Sequence, residues 1–304
     1  MDIRTSGFGT IYQFAAFAAI CYGSGDDGPA NFDGTNTFSF ASKVGSVYTL
    51  TRDLFLADGA IVAPSATVNV AGFKVFGTGT LTNNGIIHCD GRDAVGGTAG
   101  AASRVGTLGI GTAGGNGRAN NTGLNGGGQS NTLGDALLVG GAGGAGGVNA
   151  GGLGGTYVPS NTNGGAEFLM PVMTGFLFNS ASGGNQATIS IIGGGAGGGG
   201  GGSDNIGVTG GGGGGGGGVL ILNIFNFVNN GIVRCAGGKG ADAAGAGGNG
   251  GGGGGGAGGV LFNLSRYRSG AGVLICPGGL PGAGFGTGAA GLPGSDGHLD
   301  AFSA

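Results

Sequence analysis

Residues 210–218 are an unbroken run of nine glycines, and they lead directly into Val219-Leu220-Ile221-Leu222-Asn223-Ile224-Phe225-Asn226-Phe227, then Val228-Asn229-Asn230-Gly231-Ile232-Val233-Arg234-Cys235. Nineteen of the twenty-six residues from 193 to 218 are glycine, so this half has almost no side chains to pack. The half that follows is rich in branched and aromatic residues and reads as strand. Whatever the glycine does decides the fold.

A flexible linker is one reading, because glycine explores both signs of φ and loses the most entropy on ordering. Disordered chains, however, combine low hydrophobicity with many charges. This chain has 8% charged residues and a mean hydropathy of +0.25, which makes a poorly solvated coil. The other reading is a bundle of polyglycine helices in the polyproline-II conformation. That helix has no internal hydrogen bonds, so its amides and carbonyls point outward and have to be paired between neighbours. Without Cβ atoms the neighbours approach from all sides. Nine glycines at roughly 3.1 Å each make a rod of about 28 Å. A collagen triple helix is not expected, because only 291–297 keeps glycine in every third place and the chain has seven prolines.

The chain has 304 residues, 88 of them glycine, so its side-chain core is small for its length. Net charge is −3, and no Lys or Arg occurs between Arg118 and Arg234. A nucleic-acid binder needs a basic footprint, so nucleic acid is not an expected partner. Four cysteines with no C-x-x-C pair argue against both a zinc site and a disulfide scaffold, and neither metal nor cofactor is expected.

A repeat organises the rest. Leu81-Thr82-Asn83-Asn84-Gly85-Ile86-Ile87-His88-Cys89 matches 227–235, and Arg268-Ser269-Gly270-Ala271-Gly272-Val273-Leu274-Ile275-Cys276 is a looser third copy. Residues 258–264 repeat 217–223. Each unit is strand, tight turn, strand, then a glycine-rich excursion, and the copies are expected to stack. Cys89, Cys235 and Cys276 hold equivalent places and are expected to form a buried column of small apolar residues. A disulfide between neighbours is the alternative.

The fold expected is therefore mainly β: a short-strand β-solenoid or β-sandwich base carrying a polyglycine-II helix bundle. Residues 1–25 form an N-terminal docking segment, 26–91 a β-rich base domain, and 92–304 a glycine-rich domain with β repeats at 219–235 and 260–276. In the base, strands are expected at 37–40, 47–55, 60–62, 67–70, 73–76, 80–82 and 86–89. Turns fall at Asp33-Gly34, Asp58-Gly59, Pro64-Ser65, Ala71-Gly72 and Asn84-Gly85. Breaks in the glycine at 118–122, 129–138, 156–163, 167–192 and 203–205 mark where rods reverse.

The apolar stretch 11–21 is too short to cross a membrane. Its length suits a signal peptide, but Asp2 beside a single Arg4 makes a poor basic region and Gln13 interrupts the apolar run. Ile11, Tyr12, Phe14, Phe17 and Ile20 are candidates for docking onto a partner or another copy. A short helix covering the β-domain is the competing reading.

The segments Asp26-Asp27-Gly28, Asn31-Phe32-Asp33-Gly34-Thr35-Asn36-Thr37-Phe38, Leu50-Thr51-Arg52-Asp53 and Gly79-Thr80-Leu81-Thr82-Asn83-Asn84-Gly85 resemble glycine-rich virion proteins of tailed bacteriophages. In architecture the chain is similar to polyglycine-II adhesins at the tips of long tail fibres. The resemblance covers about 26–297 and lies in patterned composition more than in fixed motifs. It implies a virion location with assembly in the host cytoplasm. It further implies other virion proteins as partners, a homo-oligomer (a trimer, as in fibrous phage proteins), and host surface polysaccharide or outer-envelope protein as receptor.

His88 lies near Cys89, Asp90, Arg92 and Asp93, with His88 and Asp90 on one strand face. No second histidine is nearby, and a solvated strand edge is the expected setting. With no nucleophile–base pairing, no enzyme activity is expected. Two stretches suit recognition. Tyr157, Asn161 and Asn163 offer a ring and amides to sugar hydroxyls. Phe168, Met170, Met173, Phe176 and Phe178 form an apolar surface if exposed, or a hairpin packed under the glycine if not. The expected function is adhesion through loops between rods. A capsid decoration or head fibre is the alternative, and ice binding ranks third.

Overall fold

The computed structural model describes residues 21–103, 106, 108, 111–118, 140–141, 143–146, 195, 198–204 and 207–303. Among these the regular elements are strands, apart from Cys21 and Tyr22, which are helical. In the base they are β1 (Asn31–Phe32), β2 (Ala41–Val44), β3 (Val47–Leu50), β4 (Leu54–Leu56), β5 (Ala60–Val62), β6 (Thr67–Asn69), β7 (Val75–Asn83) and β8 (Ile86–His88). Beyond them lie β9 (Val208–Thr209), β10 (Val219–Asn229), β11 (Ile232–Arg234), β12 (Ala244–Gly245), β13 (Val260–Ser269), β14 (Val273–Ile275) and β15 (His298–Ser303).

The chain is mainly β, with mostly parallel sheets. One sheet runs β1-β5-β7-β10-β13-β15, with β4 also on β7; a second runs β14-β11-β8-β6-β3-β2. Side chains from both sheets form one core, including Tyr48, Leu56, Leu81, Ile87, Leu222, Phe227, Val233 and Leu261. Val219, Val260 and Phe262 on the other face of the first sheet pack with Ala257 and Leu108, which explains why β10 and β13 read as nearly continuous apolar runs.

The three copies of the repeat lie in register. Leu81 pairs with Phe227 and Phe227 with Arg268, while His88 pairs with Arg234 and Arg234 with Ile275. Several boundaries differ from expectation. The expected strand 47–55 breaks at Thr51-Arg52-Asp53 because the chain passes there from the second sheet, where β3 pairs with β6, to the first, where β4 pairs with β7. The expected 73–76 and 80–82 fuse through Gly77 and Gly79 into β7, since β10 offers a long partner that a bulge between Ile224 and Asn226 accommodates. No strand forms at 37–40; its neighbours 41–44 pair with β3 as a hairpin instead. The turn at Ala71-Gly72 is present, with φ of 52° and 77°.

The glycine tracts carry no regular element of their own, so neither the expected polyproline-II bundle nor a clear solenoid is assigned to the chain. Their main chain is nevertheless paired throughout residues 210–218. Gly210, Gly213 and Gly216 donate to the carbonyls of Arg118, Gly115 and Thr112. Gly211, Gly214 and Gly217 donate to Gly251, Gly254 and Ala257, whereas Gly212, Gly215 and Gly218 donate to Gly96, Arg92 and Cys89. All nine bonds measure 2.7–2.9 Å. A further tract donates back: Gly195, Gly198 and Gly201 bond to Gly217, Gly214 and Gly211, so the chain reverses between 202 and 210, at the expected break. A Cβ on Gly214 would fall inside the shell of the Gly238 carbonyl oxygen, and one on Gly253 inside that of Gly212. Close approach of bare main chain, rather than flexibility, is why these positions are glycine.

Candidate functional site

The recognition candidates Tyr157, Asn161, Asn163, Phe168, Met170, Met173, Phe176 and Phe178 lie outside the described residues, as do the docking candidates Ile11, Tyr12, Phe14, Phe17 and Ile20. Chemistry-bearing side chains gather at three described places.

The first is the end of β8. His88 and Asp90 share a strand face as expected, with Nδ1 3.0 Å from Oδ2, and Arg234 from β11 brings Nε to 2.8 Å from the same oxygen. The other carboxylate oxygen accepts the Ala236 amide at 2.8 Å. His88 is not on a solvated strand edge, because β8 sits between β6 and β11 inside the sheet and both side chains are largely covered. Burial works against the Asp90 anion, yet His88, the Ala236 amide and Arg234 together hold its carboxyl below the usual range. Both oxygens are engaged in joining one copy of the repeat to the next. Sequence reading missed this use of aspartate, which recurs. Asp93 accepts the Lys239 amide at 2.6 Å and Asp242 that of Ala283 at 2.7 Å, each reaching the next copy, while Asp296 accepts that of Gly278 at 2.9 Å within the last excursion. Aspartate within the glycine-rich excursion that follows each repeat copy is the signal that finds them.

The second place is the cysteine column. Cys89, Cys235 and Cys276 are buried free thiols, so the apolar-column reading holds and the disulfide does not form. Cys235 donates to the Val260 carbonyl at 3.5 Å and Cys276 to that of His298 at 3.4 Å. Burial pushes the Cys89 thiol up to about 12, and burial, with Cys276 beside it, raises Cys235 well above the ordinary thiol value. Neither is a nucleophile near neutral pH.

The third is the last coil of the stack, from β14 to β15. Val273, Ile275, Leu280, Leu292, Leu299 and Phe302 are each 39–68% exposed there. Elsewhere, Tyr22, Phe225 and Tyr267 meet edge to face at 5.5 and 5.8 Å, with the Arg266 guanidinium 5.6 Å from the Tyr267 ring centre. Leu299 and Phe302 point to opposite faces of β15, so the exposed apolar side chains lie on both sides of the last strand of the first sheet.

Among the described residues, no group of three or more His, Cys, Asp or Glu side chains is placed to hold a metal ion. No described helix is long and apolar enough to cross a membrane. No protein-family model, no curated protein and no solved structure matches this chain.

Proposed function

We propose that this is a non-enzymatic virion protein of a tailed bacteriophage. In this reading a tail-fibre or tail-tip adhesin meets the host surface through loops held between rigid glycine rods. The observation that supports it is the three-residue period with which residues 210–218 donate in turn to three different tracts. That period is the one a threefold polyglycine-II helix presents, and the stacked repeat copies then act as a short solenoid at its base. Rods tied by main-chain bonds give a stiff platform with few side chains of its own, so recognition falls to the breaks between them. The breaks at 156–163 and 167–192 contain the aromatic and amide side chains, and host polysaccharide or an outer-envelope protein is the partner class they suit.

The test is adsorption. Phage carrying Tyr157→Ala or Phe176→Ala, with the variant incorporated at normal copy number, lose host binding at least tenfold. Unchanged adsorption by both overturns the adhesin. A capsid decoration or head fibre is the second reading, favoured by the exposed last coil, which provides an attachment face without any receptor. Antibody labelling of intact particles separates the two, since tail-tip label supports the first and capsid label the second. Ice binding, ranked third, is rejected by an absence of thermal hysteresis.

A further inference from the structure

We propose that the open end of the β stack is a two-fold interface that joins a second copy of this chain, β15 against β15 and β14 against β14.

The two ends of the stack are built differently. At the first end, β2 folds back antiparallel on β3, and Phe32, Phe38, Phe40 and Tyr48 fill the space behind it, with Phe38 and Phe40 stacked at 4.8 Å. Arg52 lies over the Phe40 ring at 5.5 Å. At the last end nothing comparable is present among the described residues. β15 and β14 are the outermost strands of their sheets, each paired on one side only. Leu299 stands in register with the core residue Leu261, so the core continues to this edge, where Leu299 is 40% exposed and no described residue covers it.

Edge strands are normally protected by lysine, proline or a bulge. From Ser269 to Ala304 the chain has no Lys or Arg, and β15 contains no proline. An unprotected parallel edge flanked by exposed apolar side chains accepts another strand.

The occupant follows from strand lengths and symmetry. Head-to-tail stacking sets the six residues of β15 against the two of β1, leaving most of the edge without a partner. It also has to displace the aromatic plug. Two open ends meeting each other match in length, and one two-fold axis perpendicular to the facing sheets pairs both edges at once. With the axis at Ala301, the two Asp300 carboxylates do not face each other directly, which avoids like charges across the strands. The resulting assembly is closed and stops at two chains. It does not depend on a virion location.

The experiment is sedimentation velocity on the full chain, with Ala301→Cys, Phe302→Asp and Val44→Asp variants beside the wild type. The wild type is expected at twice the chain mass. Phe302→Asp sets a carboxylate against the second copy's Asp300 and is expected to raise the dissociation midpoint at least tenfold while keeping the wild-type circular dichroism. Val44→Asp, at the plugged end, leaves the midpoint unchanged. Ala301→Cys forms a reducible intermolecular disulfide under mild oxidant that the wild type does not form. A monomeric or trimeric wild type, a mass that keeps growing with concentration, or a dimer indifferent to Phe302→Asp overturns the proposal. Should Phe302→Asp misfold, absence of the Ala301→Cys cross-link from a dimeric protein overturns it independently.

Discussion

The side-chain amide of Asn83 donates to the side-chain oxygen of Asn229 at 2.8 Å, joining residues 146 positions apart inside the core. Asn229 in turn donates to the Val273 carbonyl at 3.2 Å, so one amide links three successive copies of the repeat. Both asparagines are almost wholly buried. The long excursion between them returns to the stack without losing register.

Asn229→Ala should therefore cost more than an exposed polar change. It leaves the Asn83 amide and the Val273 carbonyl short of a partner, at about 1–3 kcal/mol per unsatisfied buried group. Asn83→Ala with Asn229→Ala should cost less than the sum of the singles, because the second removal strands nothing new. Urea unfolding of the four proteins measures both quantities, and strict additivity contradicts the link.

Glycine tracts make the opposite prediction from a tether. Gly214→Ala and Gly253→Ala each drive a Cβ into a neighbouring carbonyl, which is expected to destabilise by about 3 kcal/mol or more. Ala243→Gly removes a side chain from an adjacent tract and should cost about 1 kcal/mol or less. Peptides spanning 210–218 should exchange amide hydrogen as slowly as those of β10. Rapid exchange there contradicts a hydrogen-bonded lattice.

Acid should weaken the protein in a defined window. Amides of Asn36 and Thr35 hold the Asp33 carboxyl at about 2. The Thr80 amide lowers Asp58, and Asp27 is lowered by Arg52 and the Phe55 amide despite its burial. Asp90 is lowered as described above. Each folded value lies below the unfolded one, so this stability is fully present above the unfolded value of 3.8 and is lost as pH falls through the folded values. Melting temperature should be flat from pH 5 to 7 and drop steeply between pH 4 and about 2. Asp90→Asn should lower the neutral plateau and flatten that drop.

Thiol labelling reports on the core. With burial holding Cys89 at about 12 and Cys235 well above the ordinary thiol value, neither should react with a thiol reagent at pH 8 until the chain unfolds. Intact mass before and after denaturant counts the additions. Fast native labelling of Cys89 or Cys235 means the column opens on its own.

The copies at 81–89, 227–235 and 268–276 were legible in the sequence, because a strand–turn–strand unit repeats the same apolar positions wherever it stacks. Burial of the three cysteines followed from that alignment. The fusion of β7 and the placement of β2 were not legible. β7 crosses two glycines that local propensity treats as breaks, and only the length of β10 beside it makes the ladder favourable. Strand β15 was hidden for the same reason, since His298-Leu299-Asp300-Ala301-Phe302-Ser303 becomes a strand by pairing with β13.

By itself the sequence determined that bare main chain had to be satisfied by other main chain, since 88 glycines leave too little side-chain surface for an ordinary core. It also determined which segments would stack. Tertiary structure alone decided which tract receives each amide, that aspartates join successive copies, and that, among the described residues, one end of the stack is plugged while the other is not. Those outcomes depend on distances between residues dozens to more than a hundred positions apart, and a local pattern contains no information about them.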